Sequence, residues 1–241
     1  MKKKQAKESK ELRQRRREIK MQQQAIKKAS RGERTYLWAQ TWFSTLVIKL
    51  YGVRVFYAER EPAEGNYLLC ANHTAAMDPF LLAAVLRKQQ THFMGKKELF
   101  RVPFVGGMLR AFGAFPVDRA GDVSAIRTTM ELLREGKCVG MFPQGTRRPG
   151  IDPHQAKNDL KNGAGMLCVR TGVRVLPVAM RSKGKKLKMF GKTDIIVGEP
   201  IEFEALNVSE PCHAEYVRVT GIIFDRICAL YDENPGEVAL E

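Results

Sequence analysis

From about residue 53 the chain alternates short runs rich in β-branched and aromatic residues with stretches of helical periodicity, and few architectures accept that order. VRVFYAE (53–59), YLLCA (67–71), KCVGMF (137–142), VRVLPVAM (173–180) and TDIIVGE (193–199) read as strands. MDPFLLAAVLRKQ (77–89) reads as a helix with Pro79 near its first turn. In DVSAIRTTMELLREG (122–136) Val123, Ile126, Met130 and Leu133 recur at helical spacing before Gly136. NDLKNGAGMLCVRTG (158–172) is a further helix, and HAEYVRVTGIIFDRICALYDE (213–233) places Tyr216, Ile223, Ile227 and Leu230 on one stripe. The alternation predicts an α/β domain over residues 53–241, with a largely parallel central sheet flanked by helices. At 241 residues the chain can bury a core of full size.

Charge is the second constraint. Lys and Arg total 41 against 26 Asp and Glu, a formal charge of +15, which favours an anionic partner. Residues 1–34 hold much of that excess and almost no large apolar side chain, so they form a basic tail outside any core. Two readings of it stay open: a solvated, partly helical tail, or a polybasic segment on an anionic surface, where each basic residue contributes about 1 kcal/mol. Its start, MKKKQAKESK, lacks the apolar stretch of a secretory signal.

Residues 35–52 read as an amphipathic interfacial helix. At about 100° per residue, Tyr36, Ala39, Trp42, Phe43, Leu46, Val47 and Leu50 share one half, while Gln40, Thr41, Ser44, Thr45 and Lys49 share the other. The run is too short and too polar to span a bilayer, which takes roughly 20 apolar residues. Its aromatic residues and basic neighbour suit peripheral attachment, and a core helix of the domain is the competing reading.

Cys70, Cys138, Cys168, Cys212 and Cys228 are widely spaced and mostly set in apolar runs. They read as buried, reduced thiols, and neither disulfides, a structural metal nor a cofactor is expected.

The stretch ANHTAAMDPF, residues 71–80, lies just past the YLLCA strand, where open α/β sheets bind ligands. A turn between His73 and Asp78 would bring the carboxylate to one ring nitrogen and make the other a base for an alcohol. Asp78 also suits an N-cap for the following helix. KCVGMF runs into PQGTRRPG in the same way, so an imidazole and a Gly-Thr-Arg-Arg turn could face one another across two strand ends. Such a pair points to proton transfer on a phosphorylated substrate.

NHTAAMD resembles the His-x4-Asp signature of glycerolipid acyltransferases, in particular those acting on 1-acylglycerol-3-phosphate. KKELFRVPFVG with GAFPVDR, FPQGTRRPG and VLPVAM are similar to the family's three later blocks and follow in its order. The resemblance covers about residues 50–200. It implies that His73 is the general base, oriented by Asp78, and that the substrate alkoxide attacks an acyl thioester without an acyl-enzyme. Consistently, no GxSxG turn is present, and Cys70 reads as packing. Phosphate binding falls, by resemblance, to Arg119, Gly145, Thr146 and Arg147, with Lys97 as a further cation. Pro177 would shape the pocket wall; an edge or strand-end proline is the bland alternative. Gln144 departs from the family, which has Glu there, so a neutral amide must orient the loop or a substrate hydroxyl.

The resemblance thus implies phosphatidate formation in phospholipid biosynthesis at the cytoplasmic face of the cell membrane. The partners would be a membrane lipid acceptor, an acyl carrier protein or acyl-coenzyme A donor, and an anionic membrane surface. Part of FRVPFVGGMLRAFGAF (100–115) would form the lipid's entry, the rest core. Glycerol-3-phosphate or another lysolipid is the alternative acceptor. A basic nucleic-acid-binding module and an inactive lipid-binding relative are the alternatives of other classes. The first leaves HTAAMD unexplained, and no nucleic-acid partner is expected.

Overall fold

The computed structural model describes residue 42 and residues 44–117, 123–182, 184 and 186–235. The basic tail over 1–34, most of the 35–52 segment and Arg119 lie outside the described residues. Residues Ser44–Glu241 form one compact unit, separate from Met1–Phe43.

Seven strands make the sheet: β1 (Val53–Phe56), β2 (Leu68–Ala71), β3 (Thr91–Lys96), β4 (Phe115–Val117), β5 (Cys138–Met141), β6 (Val175–Ser182) and β7 (Thr193–Val197). Their order is β1-β7-β6-β2-β5-β3-β4. The five strands from β6 to β4 are mutually parallel, and β7 with its parallel partner β1 runs the opposite way. β2 is central, and all its residues are fully buried, as an apolar run covered on both faces requires. Removing Leu68 and Leu69 from water stabilises the sheet by about 2 kcal/mol each.

The helices are α1, which includes residues 44–50, α2 (Asp78–Val85), α3 (Val105–Ala111), α4 (Val123–Arg134), α5 (Gly163–Thr171) and α6 (His213–Asp232). From β2 the chain passes through α2 to β3, on one side of β2; from β5 it passes through α5 to β6, on the other. Crossovers between parallel strands are right-handed, so two that leave in opposite directions put their helices on opposite faces. The buried side chains divide accordingly. Leu133 of α4, Leu167 of α5 and Val219, Ile223 and Ile227 of α6 join Leu68, Cys70 and Val139 in one cluster, while Leu81 and Leu82 of α2 are buried outside it.

Several elements differ from the sequence reading. β3 and β4 are strands that local pattern did not single out, because β3 mixes polar Thr91 and His92 with Gly95 and Lys96 around a single buried apolar residue, Phe93, and β4 is three residues long with a proline. The 158–172 helix starts only at Gly163; residues Pro153–Asp159 form a 3-10 segment held by an Asp152–Gln155 capping box, and Lys161 N–H is drawn to Pro143 O at 2.8 Å. In α1, Ser44 was expected on the polar half, yet it is fully buried beside buried Val47, while Leu46 is exposed. Pro177 is not at an edge: it lies inside β6, level with Cys70. Its missing N–H is tolerated because the regular β6–β7 ladder ends at Val178: past it Pro177 serves only as an acceptor, taking the Gly198 N–H on its carbonyl at 2.9 Å, and the next bridge is Val175 to Ile201.

Candidate active site

β2 and β5 are neighbours whose outgoing connections diverge, and a crevice opens at the carboxyl ends of such a pair. The loops leaving both strands meet there. His73, two residues past β2, places Nδ1 2.8 Å from Asp78 Oδ2. The carboxylate is fully buried, whereas the imidazole retains 12% of its exposure. Asp78 Oδ2 also accepts the main-chain N–H groups of Thr74 (2.6 Å) and Ala75 (2.8 Å). Asp78 therefore caps the turn before it and not the helix it begins, in contrast to the N-cap reading. With that oxygen already an acceptor, the Nδ1 proton belongs to the ring, and Nε2 carries the free lone pair.

Three contacts hold His73 against the β5 loop. Its ring stacks on Phe142, with centroids 3.9 Å apart and planes 12° from parallel. Its N–H donates to Gln144 Oε1 at 2.5 Å, and its carbonyl accepts Arg148 N–H at 2.8 Å. Gln144 is buried. An acceptor oxygen is all that this bond needs, and an amide supplies it as a carboxylate would. Behind the imidazole, Asn72 ties β2 to β6: its side chain donates to Met180 O (2.8 Å) and accepts Met180 N–H (2.7 Å).

Gly145, Thr146 and Arg147 are exposed in the turn that carries Gln144, on the rim next to His73. Gly145 has φ +66°, and a Cβ there would stand 2.6 Å from Lys161 Cγ, so only glycine fits without displacing the chain. Lys97 opens the exposed turn after β3, beyond β5 on the same edge of the sheet. Pro177 and Leu230 of α6 both close on Gly198, where an added Cβ would stand 2.9 Å from Pro177 Cγ and 2.7 Å from Leu230 Cδ1. Pro177 belongs to the packing between sheet and α6. Arg119 is outside the described residues.

Phe142 and Arg148 are not singled out by the sequence, and Asn72, which the sequence places just past the strand beside His73, is given no role by it. Phe142 and Asn72 each adjoin a motif, and that adjacency was the available signal. Arg148 was passed over for Arg147, yet it is Arg148 that bonds the His73 carbonyl; its guanidinium pairs with Asp159 at 2.9 Å, and its Nε is buried without an acceptor among the described residues.

The buried cysteines near the sheet offer no competing nucleophile. All five are free, and burial pushes the Cys70 thiol well above its ordinary range. Cys138 is raised to about 11 and Cys168 to about 12 by the same desolvation. The arrangement suits abstraction of a proton by Nε2 next to a basic, glycine-bearing turn.

Residues 52–181 match the family model described as Acyltransferase. The chain is similar to the 1-acyl-sn-glycerol-3-phosphate acyltransferase of Bacillus subtilis (strain 168), 37% identical over 153 residues that make up 62% of this chain and 74% of that protein. It is 35% identical over 143 residues to the 1-acyl-sn-glycerol-3-phosphate acyltransferase of Streptococcus pneumoniae, covering 57% of this chain and 50% of that one. This chain thus spans about half the length of the pneumococcal relative. The crystal structure of the 1-acyl-sn-glycerophosphate acyltransferase from Thermotoga maritima shares the fold, with a TM-score of 0.61 at 20% identity over 92% of this chain and 88% of that one.

Proposed function

The chain belongs to the acyltransferase family, and from that membership we propose that it moves a fatty acyl group from a thioester to the sn-2 hydroxyl of 1-acylglycerol-3-phosphate, giving phosphatidate. The activity for which the Bacillus subtilis and Streptococcus pneumoniae relatives are named supports this acceptor. The observation that carries the reading is the His73–Asp78 pair at the β2–β5 crevice, beside the Gly145–Arg147 turn.

His73 Nε2 takes the proton of the acceptor hydroxyl, and the Asp78 carboxylate, 2.8 Å from Nδ1, stabilises the imidazolium that forms. The oxygen attacks the thioester carbonyl. The tetrahedral intermediate expels the thiolate, which leaves with the proton from the imidazolium. The phosphate is held by Arg147 and the main-chain donors of the Gly145 turn, with Lys97 and Arg119 as further cations. Gln144 fixes the main chain of His73 against this turn.

The donor is acyl carrier protein or acyl-coenzyme A, both of them anionic partners for a chain of charge +15. The acceptor resides in a bilayer, and residues 1–52 attach the enzyme peripherally to the cytoplasmic face of the membrane. Among the described residues no helix is long and apolar enough to cross a membrane.

The test is the full chain with 1-acylglycerol-3-phosphate, glycerol-3-phosphate and a neutral lysolipid as acceptors, each with acyl-coenzyme A and acyl carrier protein thioesters. Phosphatidate from the first acceptor, abolished in His73→Ala, is the expected result. Acylation of only another acceptor, or equal turnover by His73→Ala, overturns the reading.

A further inference from the structure

Away from the dyad, the fold leaves two phenylalanines in water. Phe104 is 94% exposed and Phe190 82% exposed, each far more than a globular chain needs for its own packing. Both also have positive φ, +63° and +58°. A bulky side chain rarely holds that conformation, and an outlier of this kind points to a function for the side chain it projects.

Their settings are alike. Phe104 follows exposed Leu99 and Val102, among Lys96, Lys97 and Arg101. Phe190 follows exposed Met189 in the segment KGKKLKMFGK, residues 183–192, where Lys186, Lys188 and Lys192 are exposed. None of these six cations is paired with a carboxylate among the described residues, and Glu98 is the one acid within the two stretches.

Topology puts both on the edge that holds the candidate active site. The turn leading to Phe104 leaves the carboxyl end of β3, and the 183–192 segment leaves the carboxyl end of β6. β6 and β3 flank the β2–β5 pair, so the phenylalanines stand on either side of His73 along one sheet edge. The second segment is anchored there: Phe190 N–H donates to Leu50 O at 2.6 Å, and a Cβ at Gly150, in the loop after β5, would touch Lys186 Cε at 3.0 Å.

We propose that Phe104 and Phe190, with the cations around them, are two insertion points that seat the carboxyl edge of the sheet on an anionic lipid bilayer, so that the crevice of His73 opens onto the leaflet. The proposal rests on the preceding reading that the acceptor is a membrane lipid. Small, separated apolar tips ringed by positive charge fit an interface in which rings sink below headgroups while lysines and arginines stay among phosphates. A protein partner needs a continuous apolar centre, and the ring of charge interrupts one here.

The test uses the full chain and vesicles of phosphatidylcholine alone or mixed with phosphatidylglycerol. Tryptophan is placed by Phe104→Trp and Phe190→Trp in turn, and its quenching by lipid brominated near the headgroup end of the acyl chains is compared with the wild-type background from Trp38 and Trp42. Extra quenching in each variant, stronger with anionic vesicles, is expected. In flotation, Phe104→Ala and Phe190→Ala should each weaken vesicle binding about tenfold, with turnover of a short-chain, monomeric acceptor unchanged. Absence of extra quenching, or undiminished flotation of the double alanine variant, overturns the proposal. So does an effect confined to the KM for acyl carrier protein, which would make the surface a donor dock. Normal quenching and weakened flotation in a chain that acylates no lipid would leave the surface standing and sink the functional reading alone.

Discussion

The main-chain N–H of His73 donates to Oε1 of Gln144 across 71 residues of sequence, at 2.5 Å. Gln144→Glu keeps an acceptor oxygen in that place, so turnover and acceptor KM should stay within a few-fold of wild type. Gln144→Ala removes the acceptor and strands a half-buried donor, and kcat should fall about tenfold, in line with the 1–3 kcal/mol of such a loss. Steady-state kinetics of the two variants decide the matter. A large rise in turnover for Gln144→Glu at unchanged KM would show that a carboxylate has a catalytic task which the amide leaves undone.

Asp78 serves the imidazole and the turn with one oxygen, and the two roles separate in Asp78→Asn. An amide in that place presents N–H to Nδ1 and drives the proton to Nε2, where it blocks base catalysis. We expect kcat to fall about a thousandfold and, because two main-chain donors lose their anionic partner, urea stability to fall by about 2 kcal/mol. His73→Ala should lose as much activity with a smaller stability change. Equal stability losses in the two variants would contradict the dual role.

Phe142 lies parallel to the His73 ring at 3.9 Å and sets its plane. Phe142→Leu conserves apolar volume and loses the flat face, so the imidazole gains rotational freedom. A drop in kcat of about tenfold with unchanged acceptor KM is expected, of the size that a modest misplacement of a catalytic group produces. A change in KM alone would show that the ring serves substrate binding.

Glu61 is buried and accepts Tyr67 OH at 2.9 Å and the N–H groups of Arg87, Lys88 and Gln89, pinning the chain before β2 to the end of α2. Burial raises its pKa above the ordinary 4.5, against the pull of those donors. The folded state therefore holds this proton more tightly than the unfolded state, and folding takes up a proton as pH rises above 4.5. The stability advantage of wild type over Glu61→Gln should be greatest below that pH and shrink as pH rises through the elevated folded value. Urea melts of both proteins across a pH series measure it, and an advantage that grew with pH would have the wrong sign.

Gly145→Ala forces a Cβ against Lys161 at a left-handed position. The turn must shift, at a cost of about 1 kcal/mol in stability. If its main-chain donors hold phosphate, KM for the phosphorylated acceptor should rise about tenfold with less effect on kcat. An unchanged KM would remove the turn from phosphate binding.

Local pattern alone determined much of this protein. The fully buried run of β2, the stripe of Tyr216, Ile223, Ile227 and Leu230 on α6, and the pairing of His73 with Asp78 all depend on residues within a turn or one element of each other, where spacing fixes direction. The tertiary structure decided the rest. Gln144, Phe142 and Arg148 reach His73 only because β5 returns to lie beside β2 after β3 and β4 have been laid outside it, and strand order is a property of crossovers that periodicity does not encode. Pro177 within an interior strand and Ser44 on a buried helix face are the same lesson at single residues: what an element packs against, and where its partner strand ends, sets which side chains are hidden.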